Sequence, residues 1–158
     1  MKDKWNIDGR GIVLDVRKEN CPQDDNIEMS GRKISAVVCY GADENGVLNL
    51  SRRTFFPTLR TIPNDTYASL MHEFGREAEI SFLISGQPVT EYAVRFRISG
   101  SLTAVARDSE ERIEIEHTVF PSVDKYVLCE SVTVKNLTDL PLDIAAVFPD
   151  KVSYSRGT

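Results

Sequence analysis

Nothing in the 158-residue sequence approaches the roughly 20 consecutive apolar residues of a membrane-spanning helix, so no membrane partner is expected. The first residues, MKDKWNIDGRG, lack the apolar stretch of a secretory signal, which favours the cytoplasm. An excess of positive charge is missing too. The 19 Lys and Arg stand against 24 Asp and Glu, a net charge of −5, which argues against a nucleic-acid partner requiring clustered cations. Cysteine is scarce and odd in number: Cys21, Cys39 and Cys129 form no CxxC pair, so neither a disulfide framework nor a zinc site is predicted. Cys39 and Cys129 lie in apolar runs and read as small buried hydrophobes. His72 and His117 are far apart with no second ligand at i+4; both read as ordinary core or surface histidines, and no metal is expected. GxSxG, a glycine-rich phosphate loop and HExxH are all absent, so no catalytic residue and no cofactor is assigned.

What is present is period two. EYAVRFRIS places Tyr92, Val94, Phe96 and Ile98 on one face, with Glu91, Arg95 and Arg97 on the other. RIEIEHTVF sets Ile113, Ile115 and Val119 against Glu114, Glu116 and Thr118. LDIAAVF puts Leu142, Ile144, Ala146 and Phe148 on one face of a last strand. Further strands are predicted in GIVLDVR, KISAVVCY, GVLNLS, YASLMHEF, EISFLIS, SLTAVARD and YVLCESVTVKN. GADENG, ISGQP, ISGSL, ARDSEE and NLTDLP supply the turn chemistry between them. Only MKDKWN and NDTYASLM have room for a helical turn. The fold class is all-β, an antiparallel β-sandwich, in a single domain spanning residues 1–158.

Three stretches carry candidate site residues. In YVLCESVTVKN, Glu130 shares a face with Tyr126, Leu128, Val132 and Val134; a buried carboxylate needs an arginine or backbone N–H partners, so a buried Glu–Arg tie is expected rather than a catalytic acid. RRTFFPTLRTIPNDT, with Arg52, Arg53 and Arg60 among two phenylalanines and two prolines, reads as a stiff crossover between strands. In that reading Arg60 ties loop carbonyls or a carboxylate such as Glu130. CPQDDNIEMSG offers Asp24, Asp25 and Glu28 as a weak cation or interface loop, though its spacing is not that of a calcium loop, and a solvated acidic loop is the favoured reading. NDT at Asn64 and NLT at Asn136 match a glycosylation sequon that carries meaning only in a secreted protein.

RRTFFPTLRTIPNDTYASLMHEF, preceded by QDDNIEMSGRKISAVVCYGADENGVL, resembles the amino-terminal region of bacterial six-hairpin glycosidases. EIEHTVFPSVDKYVLCESVTVKNLTDLPLDI is similar to a broader pattern in such front domains, shared with α-galactosidases and α-rhamnosidases. In it an aromatic-Pro-Ser turn leads into a strand ending in Asn, then a short turn and a further strand. The two stretches cover most of the chain from Gln23 to Ile144. The resemblance implies a supersandwich of the galactose-mutarotase-like type, incomplete by itself. It also implies a non-catalytic role as the front part of a longer glycoside hydrolase in carbohydrate metabolism. The partner would be the (α/α)6-barrel catalytic domain of the same protein, whose cleft this domain would shape. A stand-alone carbohydrate-binding module is the alternative, with carbohydrate as partner, and open sheet edges leave room for self-association.

Overall fold

A computed structural model describes residues 5–57, 71–75 and 78–150 of the chain. In chain order the strands are β1 (Asn6–Asp8), β2 (Gly11–Asp15), β3 (Gln23–Ser30), β4 (Ser35–Ala42), β5 (Leu48–Phe55), β6 (His72–Phe74) and β7 (Ser81–Ile84). They continue as β8 (Gln87–Pro88), β9 (Tyr92–Ile98), β10 (Leu102–Arg107), β11 (Ile113–Pro121), β12 (Leu128–Asn136) and β13 (Ile144–Val147). They pair antiparallel into three sheets, of order β1-β2-β9-β10-β11-β12, β3-β4-β5-β6 and β13-β7-β8. The fold is an all-β sandwich.

Alternation along the strands explains the layering, because successive side chains point to opposite faces of a sheet. The inward face of the six-stranded sheet is covered by both smaller sheets. Over one part, Phe96, Leu102, Ala104, Ala106 and Val119 meet Met29, Ala36, Val38, Tyr40, Leu48 and Leu50 of the four-stranded sheet. Over the other, Ile113 and Ile115 meet Phe82 and Ile84 of β7, with Val132, Val134, Leu142 and Ile144 around them. Phe96, wholly buried and stacked near Tyr40 at a centroid distance of 5.0 Å, contributes about 2–3 kcal/mol by leaving water. Between Ile115 and Val119 on this face of β11 stands His117, so a polar side chain lies at the seam of the two apolar clusters.

The turns follow their sequences. Asp43 Oδ1 accepts the N–H groups of Asn45 and Val47, both at 2.8 Å, and Gly46 at φ +85° closes the β4–β5 hairpin. Ser85 and Gly86, at φ 49° and 79°, form the two-residue β7–β8 turn, whose handedness matches strand twist. Between β10 and β11, Asp108 is 4% exposed and accepts the backbone N–H groups of Arg112 and Ile113 and the Nε–H of Arg112. Burial alone would raise its pKa, but these hydrogen bonds and the Arg112 charge hold the carboxyl below its ordinary value. Asp108→Ala strips three donors of their acceptor and should cost about 2–3 kcal/mol, read as a lower urea midpoint with an unchanged slope.

Several expectations are corrected. CPQDDNIEMSG is not a loop: Gln23–Ser30 is an eight-residue edge strand paired along its whole length with β4. The strand expected in GVLNLS runs on through Arg52 and Arg53 to Phe55, so the first part of the arginine-rich stretch is ladder and not crossover. In YASLMHEF the observed strand is His72–Phe74, and residues 67–70 lie outside the described residues. Of the two expected helical turns, Met1–Lys4 and Asn64–Leu70 also lie outside them, while a short 3-10 turn at Lys18–Asn20 was not foreseen. Cys39 and Cys129 are half-buried rather than buried, because each faces away from the inward row of its strand. Ala146 and Phe148 are exposed, since β13 is the edge of the three-stranded sheet and only Leu142 and Ile144 reach its core.

A buried ion network at the sheet seam

Arg52 owes its position to β5. Leu48, Leu50, Arg52 and Thr54 alternate inward along this strand, and Arg52 is carried into the core at 4% exposure. Across the sandwich, Glu130 on β12 stands opposite Val119 and points to the same interior. Arg52 Nη2 donates to both oxygens of Glu130, each at 2.8 Å, while Nη1 donates to Glu79 Oε1 at 3.2 Å. The expected buried Glu–Arg tie is therefore present, and its arginine is Arg52. Arg60, also offered for that role, lies outside the described residues.

His117 extends the network. Its Nδ1 is 3.0 Å from Glu130 Oε1 and its Nε2 is 2.7 Å from Glu91 Oε2, with the imidazole side chain 5% exposed. Burial by itself disfavours the imidazolium. The hydrogen bonds and charges of Glu130 and Glu91 outweigh it and push the pKa up to about 9. The ring is thus a cation at neutral pH and donates from both nitrogens. For Glu130, burial pulls the pKa upward, but the hydrogen bond from His117 and the charge of Arg52 win and hold the carboxyl below its ordinary value. Two cations face three carboxylates, and all three sheets are joined: Arg52 from the four-stranded sheet, His117 and Glu130 from the six-stranded one, and Glu79 from the segment entering β7.

Glu91 was expected on the solvent face beside Arg95 and Arg97. A register shift in the pairing of β9 with β10, between Val105 and Ala106, reverses the phase. Phe96 lies opposite Ala104, but beyond the irregularity Ala93, not Val94, lies opposite Ala106 and packs on the core. The odd-numbered residues before the shift therefore face inward, and Glu91 reaches His117. The same shift leaves Tyr92 opposite Arg107, half-buried and off the main core.

The remaining candidates do not join this site. Arg53 points the other way from Arg52 and makes an exposed pair with Glu73 at 2.9 Å, worth at most about 1 kcal/mol. Asp24 and Glu28 fall on one face of β3 and Asp25 on the other, so the three carboxylates do not converge. Among the described residues, no group of three or more His, Cys, Asp and Glu is placed to hold a metal ion. His117, Glu91 and Glu79 were missed by the sequence reading. His117 had a visible signal, its parity with Ile113, Ile115 and Val119; Glu91 was hidden by the register shift.

Two clefts flank the network. One, of about 260 Å³, is lined by Glu79, Glu91 and His117 together with Leu48, Leu50 and Val89. The other, of about 410 Å³, has Arg52 and Glu130 beside Phe56, Phe74 and Tyr126. Chemically the cluster is an ion array: at neutral pH Glu130 is a carboxylate and His117 an imidazolium, each hydrogen-bonded to the other. Comparison of the chain with family models, with characterised proteins and with solved structures gives no match.

Proposed function

We propose that this chain serves as a non-catalytic β-sandwich domain of a glycoside hydrolase in carbohydrate metabolism, packing on a helical-barrel catalytic domain and shaping its cleft. The observation that carries this reading is the ion network: Arg52 and His117 hold Glu130 between them across the sandwich, so these buried charged groups are spent on joining the sheets. Two further features support it. β11 ends on Phe120 and Pro121, the chain turns from Ser122 into β12, and β12 ends at Asn136 before the turn into β13, an order like that of the front-domain pattern that the sequence resembles. Val147 and Phe148, 45% and 71% exposed, sit at the end of an edge strand as apolar surface suited to a protein neighbour.

The purified chain is expected to give no turnover of nitrophenyl glycosides at any pH from about 4 to 9, the range in which a carboxylate or histidine would act. Steady turnover that vanishes in His117→Gln would show that the network is catalytic and overturn the reading.

A further inference from the structure

The ion network is a chain with two open ends. Glu79 meets Arg52 at 3.2 Å, Arg52 meets Glu130 at 2.8 Å, Glu130 meets His117 at 3.0 Å, and His117 meets Glu91 at 2.7 Å. Charge alternates along it, and three carboxylates against two cations leave one negative charge unanswered. Both ends are carboxylates, and both line the smaller cleft, of about 260 Å³. They reach it from separate parts of the chain, Glu79 from the segment before β7 and Glu91 from the segment before β9. A cation between them would close the chain into a ring of alternating charge.

Acceptor atoms for such a cation are free. Arg52 engages only Oε1 of Glu79, and His117 engages only Oε2 of Glu91. Glu79 Oε2 and Glu91 Oε1 have no partner among the described residues, and the two side chains stay 25% and 18% exposed, so a ligand can reach them. His117 also lines the cleft, but its ring donates from Nδ1 to Glu130 and from Nε2 to Glu91, so its charge is met on both sides. Leu48, Leu50, Ile80 and Val89 make the walls apolar, while Ser81 and Thr90 stand exposed at the rim. Among such walls an opposite charge is held more strongly than in open water.

These features select the ligand's chemistry. An anion or a neutral molecule leaves the surplus charge unanswered. Calcium takes six to eight oxygens, and no group of three or more metal-ligating side chains is placed for an ion among the described residues. A quaternary ammonium is held on aromatic faces, and among the described residues no Phe, Tyr or Trp lines this cleft. A primary ammonium carries three N–H donors, which suit two carboxylates and one hydroxyl. We propose that the cleft binds a primary ammonium group on a short alkyl chain. Its N–H groups donate to Glu79 Oε2, Glu91 Oε1 and a hydroxyl of Ser81 or Thr90, and its chain lies on Leu48, Leu50 and Val89. A free amine and a lysine side chain of another protein share this chemistry. The site stands whether or not the domain packs on a catalytic partner.

Titration with n-butylamine at pH 7, where the amine is protonated, followed by protein NMR at low salt, tests it. The resonances of Leu48, Val89 and Glu91 should shift with a Kd of about 1–10 mM, as expected for so small a ligand. Nα-acetyl-lysine methylamide should bind as well, and whichever of the two binds more tightly identifies the source. 1-Butanol, of the same shape without charge, and tetramethylammonium, charged but without N–H donors, should each bind at least about tenfold more weakly. Glu79→Gln should weaken butylamine binding about tenfold. If that variant fails to fold, Thr90→Lys at the exposed rim supplies a tethered ammonium and should abolish the binding. No shift with either amine would overturn the proposal. So would butanol or calcium binding as tightly as butylamine, or binding indifferent to both substitutions.

Discussion

Glu130→Ala should lower the unfolding free energy by about 3–5 kcal/mol, the largest effect expected of any single substitution in the network. The reason is what the carboxylate leaves behind. Arg52 and His117 have side chains only 5% exposed, and both donate to Glu130, Arg52 through two hydrogen bonds and His117 through one. Without Glu130, the partners left among the described residues are Glu79 for Arg52 and Glu91 for His117, so two buried cations each lose a partner while water has little access. The loss also falls on architecture, because this contact ties the four-stranded sheet to the six-stranded one. Chemical denaturation with a two-state fit measures the change. A combined Arg52→Met, Glu130→Met replacement should recover part of the loss, since removing both partners of a buried pair takes away the desolvation cost as well as the attraction. Should Glu130→Ala cost less than about 1 kcal/mol, the pair is behaving as a solvated surface bridge, and the buried lock would be refuted.

The second large effect is a dependence of stability on pH. His117 titrates near 9 in the folded chain, against 6.5 for an ordinary histidine. A proton held more tightly in the folded state stabilises it fully below 6.5, where both states carry it. That contribution declines as pH rises from 6.5, where the unfolded imidazole deprotonates first, and is gone once pH passes about 9. The gap corresponds to about 3 kcal/mol, lost across that window. Glu130 acts on the acid side with the opposite sign. Its folded pKa lies below 4.5, so its contribution is present above 4.5 and lost as pH falls through the folded value. Urea unfolding measured from about pH 4 to 9 should therefore show a plateau between the two losses. His117→Gln should be less stable near neutrality and nearly level between 6.5 and about 9, converging on the parent at the alkaline end. Tyr40 does not obscure the window, because burial pushes its phenol well above 10 and leaves it neutral throughout. An equal alkaline decline in His117→Gln would assign the effect to another group.

The arrangement of the core between sheets shows how much of the fold was legible. Ile113, Ile115 and Val119 on β11, and Leu102, Ala104 and Ala106 on β10, occupy the faces that alternation assigns them, because a half-buried strand cannot slip by one residue without exposing its whole apolar row. The hairpin turns were equally plain, since Asp43 with Gly46 and Ser85 with Gly86 supply the backbone geometry locally. Glu130 was visible as a carboxylate on an apolar face, and its need for a cation followed from the cost of burying charge.

Which cation answers that need was decided across 78 positions of sequence separation, by the stacking of one sheet on another, and no local pattern encodes it. Arg52 lies on the inward row that begins at Leu48 and Leu50, yet a run of arginines and prolines reads locally as an irregular corner. Glu91 is the sharper case: the register shift opposite Val105 and Ala106 is a property of two strands pairing, so the parity of β9 alone places Glu91 on the wrong face. The sequence by itself determined most of the strands, the inward faces of β10 and β11 and the presence of a buried acid, because these follow from side-chain period and solvation. Only the tertiary structure decided that Arg52, His117, Glu79 and Glu91 would surround that acid, because their meeting depends on register and sheet packing.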